Sequence, residues 1–489
     1  MKSRSTVRFV LDEEIVELSD VPPTLTVLEY LREVRGRTGT KEGCAEGDCG
    51  ACTVILGELA ADRSRVDYRA INSCIRFLPT IDGKELVTVE SLQEFRSTLH
   101  PVQQALVDHH ASQCGFCTPG FVMSLLGLYL NNAAPNRDEV VTALAGNLCR
   151  CTGYRPIIAA GCSMADYPQP ARWSRDDAQS AARVSRLRQV QPETALASPG
   201  FHAPANLDEL TTLLNTQPDA LLLAGGTDVG LWVTKQLRQL PPIIYIGAVA
   251  ELKEIQVLDT GLRIGAAVSL SDAWRALVKL HPQLNDLMLR FASPPVCNSG
   301  TLCGNIANGS PVGDSMPILI ALGAEIELRR GPQVRKLPLE QFYLGYQRKD
   351  LQPGEFVVAV TVPKGATGQR VASYKVSKRF DQDIAAVCAG FAIQLAGTRV
   401  TAARLAFGGM AAVPARAPRV EAALLDKEWS EENVEAAVAA LSDDFKPLSD
   451  LRASSEYRLL AAAQVLRRFY REAQDATAVT LQALAPVAD

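Results

Sequence analysis

Nowhere in its 489 residues does this chain string together the roughly 18 uncharged apolar residues that a membrane-spanning helix requires. It has no basic surplus either: Lys plus Arg comes to 50 against 54 for Asp plus Glu, a formal net charge of −4. Proteins that grip nucleic acid usually carry a basic excess, so that class is disfavoured. Histidine is scarce, with five residues at 100, 109, 110, 202 and 281, and no GxGxxG fingerprint occurs anywhere. The second absence argues against a two-domain Rossmann dehydrogenase. The opening residues, MKSRSTVRFVLDEE, lack the apolar core and cleavage site of a secretory signal, so a cytoplasmic location is expected. The composition is otherwise that of a globular chain, 47% hydrophobic and 21% charged. At roughly 150 residues per domain the length suggests about three domains.

What the chain does have is cysteine, 12 residues unevenly placed. In a reducing compartment, metal ligation or burial is expected of them before disulfides. Eight fall within the first 151 residues in two groups of four, while Cys162, Cys297, Cys303 and Cys388 stand apart. The first group is Cys44-x4-Cys49-x2-Cys52, with Cys74 after 21 further residues. This is the plant-type spacing for a [2Fe–2S] cluster. Three of the four lie on one loop, KEGCAEGDCGAC. Gly43, Gly47 and Gly50 suit a backbone that turns left-handed and lies close to an inorganic core, with N–H groups aimed at sulfur. Strand-like runs flank the loop, Val7 to Val10 before it and Thr53 to Leu56 after it. Leu25, Leu28 and Leu31 give residues 25–34 a helical spacing. Zinc is the competing reading, but zinc sites commonly pair CxxC knuckles or mix in His, and no His stands among these cysteines.

The second group is Cys114-x2-Cys117, then 31 residues, then Cys149-x-Cys151. Its spacer reads as two helices. Pro119 suits a first helical turn, and Phe121, Val122, Leu125, Leu126 and Tyr129 recur on one face. Asn136 with Glu139 three residues on reads as a capping box opening the second helix, and Gly146 as its end. Each cysteine pair thus sits at a helix terminus, and folding the hairpin back brings the pairs together. A CxC pair is unusual for structural zinc.

QCGFCTPGFVMS followed by NLCRCTGYRPI resembles the second iron–sulfur domain of the xanthine oxidase, or molybdenum hydroxylase, family. GCAEGDCGACTV followed by INSC resembles that family's ferredoxin-like first domain, and in the family the modules stand in this order. Ala45 and Asp48 occupy positions where many relatives have glycine.

Residues 166–199 are polar, charged and without sustained periodicity, and read as an interdomain linker. Beyond them, Leu221 to Leu223 form an apolar strand running into Ala224-Gly225-Gly226-Thr227-Asp228, a turn able to present consecutive N–H groups to an anion. By itself a strand ending in GGT is most often only a turn. A second segment, Ser299 to Asn305 and then Ser310 to Asp314, adds small residues, hydroxyls, Asn and Asp at close intervals. Together they resemble the FAD domain of the same family. The resemblance implies a cofactor site drawn from Leu222, Leu223, Ala224, Gly225, Gly226, Thr227, Asp228 and Val229. It adds Thr301, Leu302, Cys303, Gly304 and Asn305 around the pyrophosphate, Asp314 as the flavin-binding acid, Phe291 beside the flavin, and Val357 and Lys375 as further contacts. Cys303 replaces a glycine of many relatives. The chain after Val371 resembles the family's C-terminal flavoprotein domain, with helical segments expected near 433–442 and 457–473.

The expected fold is α+β and multidomain. It comprises a β-grasp, ferredoxin-like [2Fe–2S] domain over 1–88, a helical-bundle [2Fe–2S] domain over 89–165 and the linker 166–199. An α+β FAD-binding domain, not Rossmann, follows over 200–366, then a C-terminal α+β flavoprotein domain over 367–489. No length then remains for a molybdenum-cofactor domain, so the resemblance is to the small subunit of two-chain members. It implies a large partner subunit whose molybdenum site oxidises hypoxanthine and xanthine to urate, in a heterotetramer of two small and two large subunits. Electrons would pass first to the cluster on Cys114, Cys117, Cys149 and Cys151, next to that on Cys44, Cys49, Cys52 and Cys74, then to FAD and NAD. No catalytic residue for hydroxylation, no nucleic acid and no membrane is expected for this chain. A hydroxylase of aldehydes, N-heterocycles or a coenzyme A thioester, or a standalone ferredoxin–flavin carrier, would share these modules. Cys162, Cys297 and Cys388 lack ligand spacing and are expected as buried small hydrophobes.

Overall fold

A computed structural model describes residues 3–92, 99–170, 172–174 and 177–474. Both chain ends, part of the start expected for the helical domain and three positions of the expected linker lie outside the described residues. The chain divides into two compact units: Met1–Glu251 with Ser269–Ser271 and Ala292–Gly300, and Leu252–Val268 with Asp272–Phe291 and Thr301–Asp489.

The first unit opens with a five-stranded mixed sheet in the order Glu14–Leu18, Val7–Leu11, Glu85–Val87, Thr53–Leu59, Val66–Asn72. The first two strands form a hairpin closed by Asp12 and Glu13, both at positive φ (50° and 76°), as a primed two-residue turn demands. Alternation then decides the packing: Val7, Phe9 and Leu11 enter one core with Tyr30, Leu31, Val54, Leu56 and Leu86. The helical stretch is short, Val27–Glu29 widening into a π turn over Tyr30–Val34. Thr26 and Glu29 cap it reciprocally. This is the β-grasp arrangement.

Helices Pro101–Asp108, Thr118–Asn131, Arg137–Leu144 and Arg155–Ser163 pack together on Phe121, Leu125, Leu126, Val140, Ile157 and Ala160. Ile55, Tyr68 and Val87 from the sheet join this core. At Gly161 an added Cβ would stand 2.6 Å from Val140 Cγ1, so glycine is what lets two helices approach. The stretch read as a linker is more ordered than its composition suggests. Asp177–Val190 is a helix whose Leu187 and Val190 bury against Val10 of the sheet, and Arg183 lies 4.3 Å over the Trp173 ring. Three apolar positions spaced along one face (Val184, Leu187, Val190) suffice to dock it. A second sheet of the unit, in the order Ser3–Arg4, Ala195–Ser198, Phe201–Ala203, Ile243–Tyr245, Leu221–Leu223, ends on the strand that leads into the double glycine.

The second unit holds an antiparallel sheet in the order Ile255–Leu258, Gly261–Gly265, Phe356–Pro363, Glu325–Arg330, Gln333–Pro338. It also holds a four-stranded antiparallel sheet, Gln369–Val376, Val387–Ala396, Arg399–Gly408 and Ala415–Arg416. Helices Glu431–Ala439 and Ser455–Gln474 cover the latter. Phe391, Phe407, Trp429 and Phe469 build its core. Helix Ser315–Ala321 packs closely enough that a Cβ at Gly390 would fall 2.4 Å from Ile318 Cα.

Candidate iron–sulfur and flavin sites

All 12 cysteines are free thiols. In the first quartet the Cys44 sulfur accepts three backbone N–H groups, from Glu46 at 3.4 Å, Asp48 at 3.4 Å and Cys49 at 3.3 Å. The loop can aim them because Ala45, Gly47 and Gly50 are left-handed, with φ of 56°, 78° and 71°. Gly43, expected to be so as well, is not. It is needed for space, since a Cβ there would stand 2.8 Å from Cys49 Sγ. Cys52 and Cys74 bring their sulfurs within 3.2 Å. Hydrogen bonds link Cys44 with Cys49, Cys44 with Cys74, and Cys52 with Cys74. They lower the pKa of Cys44 and Cys52 toward the thiolate that binds metal, and raise that of Cys49 and Cys74.

In the second quartet Cys117 precedes helix Thr118–Asn131, while Cys149 and Cys151 lie between helices Arg137–Leu144 and Arg155–Ser163. Asn136 and Glu139 form the capping box that opens helix Arg137–Leu144. Thiol hydrogen bonds join Cys117 to Cys149 and Cys114 to Cys151. Burial pushes the Cys117 thiol up to about 12, and the Cys149 contact adds to it. Tyr154, at a φ of 68°, accepts the Cys149 N–H on its hydroxyl at 2.9 Å. Among the described residues no three His, Cys, Asp or Glu side chains gather as ligands of one ion. The sulfurs of the second quartet meet in two pairs, and those of the first join in one run, Cys49–Cys44–Cys74–Cys52; four thiolates together are what a [2Fe–2S] cluster takes.

Sequence reasoning missed the residue that joins the two loops. Asn147 is buried, donates to Gly50 O at 3.2 Å and accepts from Ser124 Oγ at 2.6 Å. Beside it, Leu148 N donates to Cys49 O at 3.0 Å. The outlying cysteines divide. Cys297 and Cys388 are buried as expected, but Cys162 is exposed, because its helix turns that face outward. His109 packs through Nε2 on Ser163 Oγ at 2.9 Å.

Of the residues expected around a flavin, 222–229 belong to the first unit and the remainder to the second. In the first, Leu221–Leu223 ends at the double glycine and helix Val229–Thr234 follows. The two glycines differ. A Cβ on Gly225 would meet Ser299 O at 2.1 Å and Gly300 Cα at 2.5 Å. Gly226, at a φ of 75°, has only Leu223 Cδ1 at 3.6 Å and Ile75 O at 3.9 Å. A Cβ on Gly226 would therefore meet only ordinary van der Waals neighbours, and what requires glycine there is the left-handed backbone of the turn. Gly226→Ala should lower flavin content severalfold, leave iron content unchanged and cost about 1 kcal/mol for its left-handed backbone, whereas Gly225→Ala, whose Cβ meets backbone, should destabilise the fold more. Flavin and iron per purified chain check this, and equal flavin loss with equal stability in both would contradict it.

In the second unit Thr301 caps helix Leu302–Asn308, its Oγ1 accepting Gly304 N at 2.9 Å, and Asn305 Oδ1 accepts from Ser315 Oγ at 2.5 Å. Cys303 turns its sulfur inward to 3.8 Å from Ile264 O, and burial pushes its thiol up to about 12. Val357 is buried in strand Phe356–Pro363, and the Phe291 ring packs 5.3 Å from Trp274. Asp314 and Lys375 form a buried pair at 2.8 Å. Burial pushes the Asp314 carboxyl up, and Lys375 pulls against it. Arg290, which sequence reasoning also missed, locks this centre: its Nη1 donates to Lys375 O at 2.6 Å, and Lys375 Nζ donates to Arg290 O at 2.8 Å. Asp314 Oδ1 is buried with no hydrogen-bond partner. Such an oxygen suits a donor from a bound heterocycle, so these residues fit a flavin ring.

Four family models match, in chain order. A 2Fe-2S iron-sulfur cluster binding domain covers 9–77 and a [2Fe-2S] binding domain covers 88–162. The FAD binding domain in molybdopterin dehydrogenase covers 194–365, and the CO dehydrogenase flavoprotein C-terminal domain covers 372–473. The chain is thus an iron–sulfur flavoprotein with two [2Fe–2S] domains, and zinc is set aside. It is 31% identical to xanthine dehydrogenase of Emericella nidulans, over 96% of this chain and 38% of that protein. It is 31% identical to xanthine dehydrogenase 1 of Arabidopsis thaliana, over 86% and 36%. It spans little more than a third of the length of these relatives. Among solved structures it resembles a carbon monoxide dehydrogenase from Hydrogenophaga pseudoflava, with 32% identity, TM-score 0.52, and 55% of this chain covering 94% of that one. Quinoline 2-oxidoreductase from Pseudomonas putida 86 gives 28% identity, TM-score 0.50, and 60% against 99%. The chain belongs to the molybdenum hydroxylase family as an iron–sulfur and FAD-carrying member. Among the described residues no helix is long and apolar enough to cross a membrane.

Proposed function

We propose that this chain is the electron-transfer subunit of a two-chain xanthine dehydrogenase, paired in a heterotetramer with a molybdenum-cofactor subunit that oxidises hypoxanthine and xanthine, and that it delivers the electrons to NAD in the cytoplasm. The observation that carries the reading is the alignment of nearly the whole chain, 96%, with a xanthine dehydrogenase. Iron–sulfur clusters exchange single electrons and flavins one or two, so together they can divide a two-electron oxidation. The chain's own residues would hold these groups: Cys44, Cys49, Cys52 and Cys74 one cluster, Cys114, Cys117, Cys149 and Cys151 the other. Residues 222–229 and 301–305 would bind the FAD pyrophosphate, and Asp314, set by Lys375 and Arg290, would bind the flavin ring. The proposed domain limits are 1–88, 89–165, 200–366 and 367–489, with the docked helix Asp177–Val190 between the second and third.

The likeness to carbon monoxide dehydrogenase and quinoline 2-oxidoreductase favours a second reading, the same role beside a different hydroxylating subunit. Expressed alone, the chain should reduce an artificial dye with NADH and show no xanthine turnover. Co-expressed with its molybdenum partner it should copurify and oxidise xanthine with NAD. Copurification with activity only on an aldehyde or N-heterocycle would select the second reading, and xanthine turnover by the chain alone would overturn both.

A further inference from the structure

The short helix Val229–Thr234, which begins at the double-glycine turn, lies with one face on the loop of the first cysteine quartet. A Cβ at Gly230 would stand 2.6 Å from Ile75 O and 2.8 Å from Ile75 Cβ, next to Cys74. Leu231 packs on Cys52, Cys74 and Ile75. One turn on, Thr234 Oγ1 donates to Ala45 O at 2.7 Å, and Lys235 Nζ donates to Cys44 O at 3.0 Å. A hydroxyl has one proton to give, and the contact to Ala45 is shorter than the 3.1 Å to Gly230 O.

The Ala45 carbonyl and the Glu46 N–H belong to one peptide plane, and in a trans peptide they point in opposite directions. Thr234 holds the oxygen, and the N–H on the far side reaches Cys44 Sγ at 3.4 Å. The plane stands at a left-handed residue, Ala45, so alanine alone would not favour this turn. Hydrogen bonds in series polarise one another, and hydrogen bonds to ligand sulfur set cluster potential. Lys235 acts on the preceding peptide and pairs with Glu46 at 3.7 Å, setting a positive charge beside that carboxylate.

We infer that Thr234, supported by Lys235, is a positioning residue that raises the reduction potential of the first cluster from the flavin-binding segment. The inference rests on the ligand assignment in the proposed function. It is tested on the full chain by EPR-monitored redox titration of wild type, Thr234→Val, Thr234→Ser and Lys235→Met, with iron and sulfide content measured on each. The signal lost in Cys44→Ser identifies the first cluster.

In Thr234→Val the ratio of reduced to oxidised first cluster, read at the wild-type midpoint, should fall roughly three- to tenfold, tenfold being about 59 mV for one electron. The second cluster should not move. Thr234→Ser should restore the wild-type value, and Lys235→Met should shift the same cluster downward by less. A Thr234→Val protein with full iron and wild-type titration overturns the inference, as does an equal shift of both clusters. Should Thr234→Val lose iron, Lys235→Met decides: a downward shift of the first cluster alone supports the inference, and a wild-type titration overturns it. If Cys44→Ser removes no signal, the ligand assignment itself has failed, a result distinct from these.

Discussion

Gly50→Ala is expected to cost the protein iron at both quartets, whereas Cys44→Ser costs it at one. Gly50 lies between Cys49 and Cys52 at a φ of 71°, where alanine is strained by about 1 kcal/mol or more. The larger effect is steric. An added Cβ would stand 2.0 Å from Gly146 O and 2.9 Å from Asn147 Cα, and both obstacles are backbone. No rotamer change removes them, so one loop must move. The same peptide accepts Thr53 N at 3.0 Å, Thr53 Oγ1 at 2.7 Å and Asn147 Nδ2 at 3.2 Å. From the other side, a Cβ on Gly120 would fall 2.2 Å from Gly50 O, so the peptide cannot shift toward that helix. Displacement therefore reaches Cys49 through its neighbour and Cys149 through Asn147 and Leu148. With two [2Fe–2S] groups the wild-type chain should carry about four irons, Cys44→Ser about half of that, and Gly50→Ala less still. Full iron in Gly50→Ala, or loss of the first EPR signal alone, would show that the two loops do not depend on each other.

Local signals in the sequence were strong where chemistry demands a spacing. Cysteine intervals, Pro119, and the Asn136–Glu139 box each act within a few residues: Cys117 caps the helix that Pro119 opens, and the box opens helix Arg137–Leu144, beyond whose far end Cys149 and Cys151 lie. The Gly50–Asn147 junction had no such signal. Its partners are 97 residues apart, and Asn147 carries no pattern that separates a buried bridge from a helix end. Gly43 shows the opposite limit. Glycine was correctly read as needed, but sequence does not distinguish a left-handed turn from a close sulfur. The helix Asp177–Val190 escaped because arginines and other polar residues outnumber its apolar stripe. Burial of Leu187 and Val190 against Val10 decided its structure, and that contact is tertiary.

The flavin residues are legible through resemblance more than through periodicity. Asp314 and Lys375, 61 positions apart by subtraction, have no local rhythm in common, yet the fold pairs them at 2.8 Å. Arg290 carries no signal in the sequence, since an arginine at a helix end is ordinarily solvated. Its burial is made tolerable by three acceptors outside its own helix, Lys375 O, Phe380 O and Ser377 Oγ.

Lys375→Met is expected to destabilise the protein by about 3–5 kcal/mol, because it leaves a buried carboxylate without its cation. Both side chains are nearly closed to solvent, at 1% for Lys375 and 11% for Asp314. Replacing both partners at once, as Asp314→Asn with Lys375→Met, should recover much of the loss, since the unpaired charge is then gone. The deficit should also depend on pH with a definite sign. Burial already raises the Asp314 carboxyl, and Lys375 and Arg290 lower it. With Lys375 gone, the folded-state value moves further above the unfolded value of about 3.9. A carboxyl raised in this way binds its proton in the folded state first, so on acidification the variant gains stability relative to wild type. That gain begins as pH falls through the variant's folded value and ends below the unfolded one. Urea midpoints of wild type and variant, measured side by side from pH 8 to pH 5, should therefore converge toward the acid end. A gap that stays constant or widens would mean that Asp314 is not the group left exposed to the loss of Lys375. Flavin content gives an independent reading: it should fall in both single variants, and should not return in the double variant even where stability does. The acid is needed for its partnerless oxygen, and the asparagine replaces that acceptor set with an amide.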